Sequence, residues 1–221
     1  ADRSAFQIMP WQGRAVVAPE RRALAFTHDD EVDHPHHYSV VLDGGITAEM
    51  TPTSHGGVFR FTWRNPGRHG VILDQPYLGL TRCETLDDGR VAFHAAIAPQ
   101  SGWTSGLRSP QPPAYVYGET RQPATIHPAW ERRSPLEGLM VRGRRLHMSW
   151  FGKFAVPLPR PQASVLETGA DVLEVEMAMS FISVDQARRS LRDEVGSAGF
   201  DEVANRAKAE WGELLGRLEI D

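Results

Sequence analysis

The chain has 221 residues, 41% hydrophobic and 24% charged, which lies inside the ordinary range for a globular domain. Its 24 Lys and Arg against 28 Asp and Glu leave a net charge of −4, too weak and too mixed to suggest nucleic acid or an anionic membrane as a partner. No apolar run approaches the ~20 residues of a membrane helix, the segment Ala1 to Phe6 lacks the basic and apolar regions of a signal peptide, as a mature or trimmed fragment would, and Cys83, the single cysteine, has no partner for an internal disulfide.

Along the chain, apolar side chains recur with period two. Tyr38 to Leu42 and Ile46 to Met50 flank Asp43-Gly44-Gly45, whose residues tolerate positive φ and so close a hairpin. Phe59, Phe61 and Trp63 alternate with Arg60 and Thr62, and Asp88-Gly89 supplies a second turn before Val91-Ala92-Phe93. Prolines cluster at 110–113 and 157–161, where missing amide donors argue for loops or edges. In 173–181, Leu173, Val175, Met177, Met179 and Phe181 share one face and Glu174 and Glu176 the other, the pattern of a strand with one wet side. The period then changes. Ser183 and Gln186 fit a capping box, and Ala187, Leu191 and Val195 continue one helical face. Gly196 and Gly199 interrupt it before Val203, Ala207, Trp211, Leu214 and Leu218 mark a second amphipathic helix, with Trp211 expected to anchor it in the core. The pattern predicts a mainly β protein, an antiparallel β-supersandwich of two large sheets with two C-terminal helices: a sandwich over 1–182 and a helical extension over 183–221.

Three places could carry chemistry. The first is the His-rich segment, where His28, Asp29, Asp30, Glu31, Asp33, His34, His36 and His37 gather imidazoles and carboxylates of the kind that bind zinc, iron or manganese. Glu31, His34 and His36 are the candidate metal set. Against it, Glu31 precedes the histidines and Pro35 splits them, unlike a cupin motif, and the favoured reading of the segment is a solvated loop with no metal. The second is the carboxylates Glu49 and Glu84, which could face a cleft but for which ordinary surface placement suffices; Arg60 and Glu49 are weaker candidates for holding an interdomain surface. The third is the loop Ser101-Gly102-Trp103-Thr104-Ser105-Gly106, where a Trp among glycines can offer its face to sugar C–H groups, or can pack beneath the loop. No nucleophile elbow or phosphate loop is present, and Cys83 has no neighbouring His in sequence to activate it.

Several linked motifs, taken together, carry a family resemblance. Met9-Pro10 with Gly13, Phe26 to Glu31, Tyr38-Ser39-Val40, Ile46 to Thr51, Phe59-Arg60-Phe61, Met179 to Ala187 and Trp211 are similar in order and spacing to the amino-terminal β-domain of the glycoside hydrolase family 92 exo-α-mannosidases. The resemblance is tight at both ends and loose from about 104 to 170. It implies a galactose-mutarotase-like supersandwich that precedes an (α/α)6 catalytic barrel in a calcium-dependent enzyme which inverts the anomeric centre. The two carboxyl groups such inversion requires, and the Ca2+ ligands, are expected on that barrel, so no catalytic residue and no cofactor is expected in this chain. The implied partners are the barrel and a mannose-containing glycan, and the implied location is secreted or periplasmic, as in bacteria. Trp103 would stand at the pocket rim, because relatives place a Gly followed by Trp toward the domain interface. His36 and His37 depart from the family pattern, so no family role attaches to them. The segment ahead of Met9 that carries a His- and Gly-containing loop in relatives has no counterpart here. The alternative to a non-catalytic half of a mannosidase is a free-standing module that binds carbohydrate or a partner protein.

Overall fold

The computed structural model describes residues 6–74, 81–97, 113–129 and 163–217. The chain enters through β1 (Gln7–Gln12) and a short α1 (Pro19–Arg22), then runs through β2 (Phe26–His34), β3 (His37–Leu42), β4 (Ile46–Pro52), β5 (Gly56–Trp63), β6 (His69–Asp74), β7 (Thr81–Thr85), β8 (Val91–Ile97), β9 (Ala114–Thr120), β10 (Thr125–Ala129), β11 (Ala163–Thr168) and β12 (Val172–Ser180). Two helices follow, α2 (Val184–Glu194) and α3 (Phe200–Leu215). Among the described residues the strands form an eight-stranded sheet, β2-β3-β4-β5-β12-β9-β8-β7, and a four-stranded sheet, β1-β6-β11-β10. All pairs are antiparallel. In the wide sheet β12 is the seam: it pairs with β5 on one side and β9 on the other.

The turns close as their residues dictate. Gly44 and Gly45 take φ of 86° and 75° between β3 and β4, and Gly89 takes 81° between β7 and β8, values that a side chain would strain. The two sheets bury one core between them, with Phe61, Trp63, Phe93, Leu173 and Val175 packed against Val71, Leu73 and Leu166. Both buried indoles are satisfied: Trp63 Nε1 donates to the Trp11 carbonyl at 3.2 Å and Trp11 Nε1 to the Leu166 carbonyl at 3.3 Å.

A second core lies on the opposite face of the wide sheet, and it corrects the expectation of a wet side for β12. Val58, Ala92, Tyr117 and Ala178 lie beneath Ala187, Leu191, Val195, Phe200 and Val203 of the helical segment. Alternation identifies two faces of a strand but not what covers the polar one; here the helices fold back over it. Glu176 is consequently 6% exposed. Arg121 holds this region together, its Nη2 lying 2.7 Å from Glu176 and its two terminal nitrogens donating to the Ser197 and Gly196 carbonyls just past α2.

The helices begin as the sequence indicates. The Ser183 hydroxyl accepts from the Gln186 amide at 3.1 Å, but the Gln186 side-chain oxygen accepts a hydrogen bond from Arg189 rather than reaching back. Gly196, at φ 59°, turns the chain out of α2. Gly199 has no side chain with which to cap α3, and Glu174 of β12 supplies the acceptor, Oε2 lying 3.2 Å from the Phe200 amide. Trp211 differs from expectation. α3 buries Phe200, Val203 and Ala207, all in its first half, so Trp211 falls beyond the sheet and stays 38% exposed instead of anchoring the core.

Candidate functional site

Where the first half of α3 crosses the wide sheet, a recess of about 410 Å³ opens among β3, β4, β5 and the helix. Strand register builds its floor. Glu49 of β4 stands opposite Arg60 of β5, and Arg60 stands opposite Glu174 of β12, so three charged side chains form a row on the helix-facing side. Arg60 makes a two-pronged contact with Glu49, Nε to Oε2 at 2.7 Å and Nη2 to Oε1 at 2.9 Å, and its Nη1 donates to Asp201 of α3 at 2.8 Å. Its guanidinium carbon lies 4.2 Å from the centre of the Phe200 ring, a cation–π contact. The His37 ring meets Phe200 edge-on and sets Nε2 3.3 Å from Glu49 Oε1.

The electrostatics follow from this geometry. Hydrogen bonds from Arg60 hold the Glu49 carboxyl below its usual range against the opposing effect of burial, and those to Glu49 raise Arg60 further above its already high value. His36, also at the rim, is lowered by desolvation and then by the neighbouring His34, Lys208 and His37. Each charge on Arg60 is thus met by a carboxylate and its face by an aromatic ring. This arrangement joins α3 to the sheet, and Glu49, held ionised against Arg60, has no proton to donate at neutral pH. Asp201 and Phe200 escape a reading of the sequence because the helix that carries them is distant in the chain from β4 and β5, whereas His37, which the sequence offers only among the metal-binding candidates, reaches the recess on β3 beside β4. Glu49 and Arg60, expected from the sequence only as candidates for an interdomain surface, are paired instead with each other by the β4–β5 hairpin register.

The His-rich segment is not a loop. It is an edge hairpin, β2 against β3, with His34 paired to His37 around Pro35 and His36. Edge strands of this kind carry charge on exposed backbone without needing a ligand. Glu31 accepts a hydrogen bond from the Tyr38 hydroxyl at 2.5 Å and lies 2.5 Å from His28 Nδ1. These bonds lower Glu31, Tyr38 first, and raise Tyr38 to about 12. His34 and His36 stack on each other, ring centres 5.5 Å apart. The structure thus separates the candidate metal set, Glu31 turning toward Tyr38 and the two histidines toward each other. Among the described residues no group of three or more His, Cys, Asp or Glu is placed to hold a metal ion. Glu84 lies on β7 at the far edge of the wide sheet, and Cys83 beside it has its thiol pushed up by burial. Trp103, with the whole 101–106 segment, lies outside the described residues, as do the proline clusters apart from Pro113.

On the sandwich side of the wide sheet, a second recess, of about 410 Å³, is lined by Ile8, Phe59, Ile97, Val116, Met177 and Met179 among others.

A wide antiparallel sheet, backed by a narrower one and overlaid by two C-terminal helices, defines a β-supersandwich module of the kind found in glycoside hydrolases. The profile of the glycosyl hydrolase family 92 N-terminal domain matches residues 1–156, and the chain belongs to this family. Among solved structures it is similar to the GH92 family glycosyl hydrolase CcMan5, with 22% identity and a TM-score of 0.72, over 98% of this chain and 29% of that one. It is similar to the family GH92 inverting mannosidase BT2199 from Bacteroides thetaiotaomicron VPI-5482 at 21% identity and a TM-score of 0.73, over 98% of this chain and 27% of that one. The family GH92 α-mannosidase BT3965 from Bacteroides thetaiotaomicron matches at 19% identity and a TM-score of 0.70, again over 98% of this chain and 29% of its own. At these identities the likeness establishes the fold. The chain spans less than a third of the length of these structures. No curated protein matches it.

Proposed function

We propose that this chain is the non-catalytic N-terminal part of a calcium-dependent, inverting exo-α-mannosidase acting on mannose-containing glycans, secreted or periplasmic, in which it packs on an (α/α)6 catalytic barrel and helps complete the sugar pocket. The observation that carries this reading is the fit of nearly the whole chain to less than a third of each GH92 structure, together with the family match. The chemistry of the described residues agrees with a supporting role. Inversion needs one carboxylic acid to protonate the leaving oxygen and one carboxylate to activate water. Here the recess holds Glu49 ionised against Arg60, and Glu176, whose carboxyl is raised by burial, is covered by α2 and α3. Neither can serve as an acid to a bound sugar. Calcium belongs, in this reading, to the barrel. Trp103 keeps the role its sequence context gives it, a stacking face at the pocket rim, worth on the order of 1 kcal/mol when removed in the full-length enzyme.

The test is turnover of an aryl α-mannoside by the 221-residue chain and by the full-length polypeptide that contains it. The full-length protein is expected to be active, losing activity with EDTA and recovering it with Ca2+, and the 221-residue chain to stay at background. Turnover by the 221-residue chain that survives repurification and disappears on mutating one of its residues would overturn the reading. Tight mannose binding by the same chain, abolished by Trp103→Ala, would favour a free-standing lectin-like module.

A further inference from the structure

We infer that the distal half of α3 is a docking surface for a second domain of the same polypeptide, an inference that rests on the N-terminal-domain reading above. α3 is held to the sheet by its first two turns, through Phe200, Val203 and Ala207, and by the Arg60–Asp201 bond. Beyond them the helix leaves the sheet: every residue from Lys208 to Arg217 is exposed. Trp211, Leu214 and Leu215 lie at positions i, i+3 and i+4 on that stretch, so they share one side, 38%, 52% and 54% exposed.

Such a segment does not account for its own stability. Isolated helices shorter than about 12–15 residues are marginal in water, and helices in proteins draw most of their stability from a packed apolar face. This stretch includes Gly212, a weak helix former, and its local support is the Glu213–Arg217 ion pair at 2.7 Å, both side chains mostly exposed and so of small worth. Its amphipathic side has three large apolar residues and no cover among the described residues.

The occupant is indicated by the relatives. Their match leaves out about 2% of this chain, so it takes in α3, yet it occupies only 27–29% of their own length. A large remainder is therefore available in those proteins to cover the helix that ends the matched part. A second copy of this chain fits less well. Three side chains along two turns offer far less than the ~800 Å² per partner of a stable interface, whereas a tethered domain needs only a small contact because its local concentration is high.

The experiment introduces Trp211→Gln, Leu214→Gln and Leu215→Gln together, both into the 221-residue chain and into the full-length polypeptide that contains it, and follows thermal unfolding and sedimentation. Gln retains helix propensity. In the full-length protein the substitutions should lower the unfolding midpoint or split one transition into two, while the 221-residue chain keeps its midpoint and remains monomeric. Three results would overturn the inference: unchanged unfolding of the full-length protein; an equal fall in both proteins, which would assign the stripe to this domain's own core; or a wild-type 221-residue chain that is dimeric and becomes monomeric on substitution, which would assign it to a second copy. A reading frame with no further domain would instead remove the N-terminal-domain reading itself, and the inference with it.

Discussion

Arg60 shows how one side chain can fix the position of a helix. Its contact with Glu49 is two-pronged and sheltered, whereas Asp201 is 81% exposed and its bond to Arg60 is screened by water. Arg60→Ala should therefore destabilise the domain by about 2 kcal/mol, and Asp201→Asn by less than about 0.5 kcal/mol, read as shifts in urea midpoint at constant slope. The first effect should depend on pH. Glu49 is depressed by Arg60, so its contribution is fully present above the ordinary glutamate value of 4.5 and is lost as pH falls through the lower folded value. The cost of Arg60→Ala measured at pH 7 should shrink at pH 3. Glu176 has the opposite sign. Burial raises it, partly offset by Arg121, which is close but poorly aligned, so that neither Glu176 Oε2 nor Arg121 Nε has a well-directed bond. Whatever stability the protonated form supplies is present below the unfolded value and is lost as pH rises through the folded one. Denaturation of Glu176→Gln and wild type at pH 4 and pH 7 should show the comparison moving in favour of the variant at the higher pH. The sequence singled out Glu49 and Arg60 but not their pairing, which follows from the register of the β4–β5 hairpin. Burial of Glu176 was not legible, because it depends on helices that return from residues 184–215.

Elements were read more reliably than their surroundings. Period-two stretches became strands, turns with Gly became turns, and Ser183 became a cap, since each of these depends on neighbours a few residues apart. Ser183→Ala should cost about 1 kcal/mol in unfolding free energy, the ordinary worth of such a cap. What alternation could not supply was the covering layer of each face, which is why β12 has no wet side and Trp211 no core. The His-rich hairpin was missed for a related reason: its side chains are polar on both faces, so period two leaves no trace. Close packing between strands also sets limits no pattern reveals. A Cβ at Gly118 of β9 would lie 2.3 Å from the Phe93 ring and 2.6 Å from the Glu176 carbonyl. Gly118→Ala should thus lose on the order of 3 kcal/mol, measured by chemical denaturation, far more than the same change at the open Gly212, where nothing stands within 4 Å.

For the molecule as a whole, the fold class and family were visible in the sequence, because both rest on linked short motifs spread along the chain. EDTA should leave the melting temperature of the 221-residue chain unchanged, and added Ca2+ should not raise it; a rise with Ca2+ would place a binding site here. The seam position of β12 has a further consequence, for how the domain is made. β2 to β5 and β7 to β9 are each neighbouring blocks, but the strand that joins them is the last to be synthesised, and β11, near it in sequence, bridges β6 and β10 in the other sheet. During translation the chain ahead of Val172 waits as separate half-sheets with open edges, dependent on contacts of high sequence separation that form slowly. A nascent chain arrested before Val172 should be sensitive to protease and prone to aggregate, and one extended past Ser180 should become resistant, with closure of the wide sheet delayed until nearly every strand has left the ribosome.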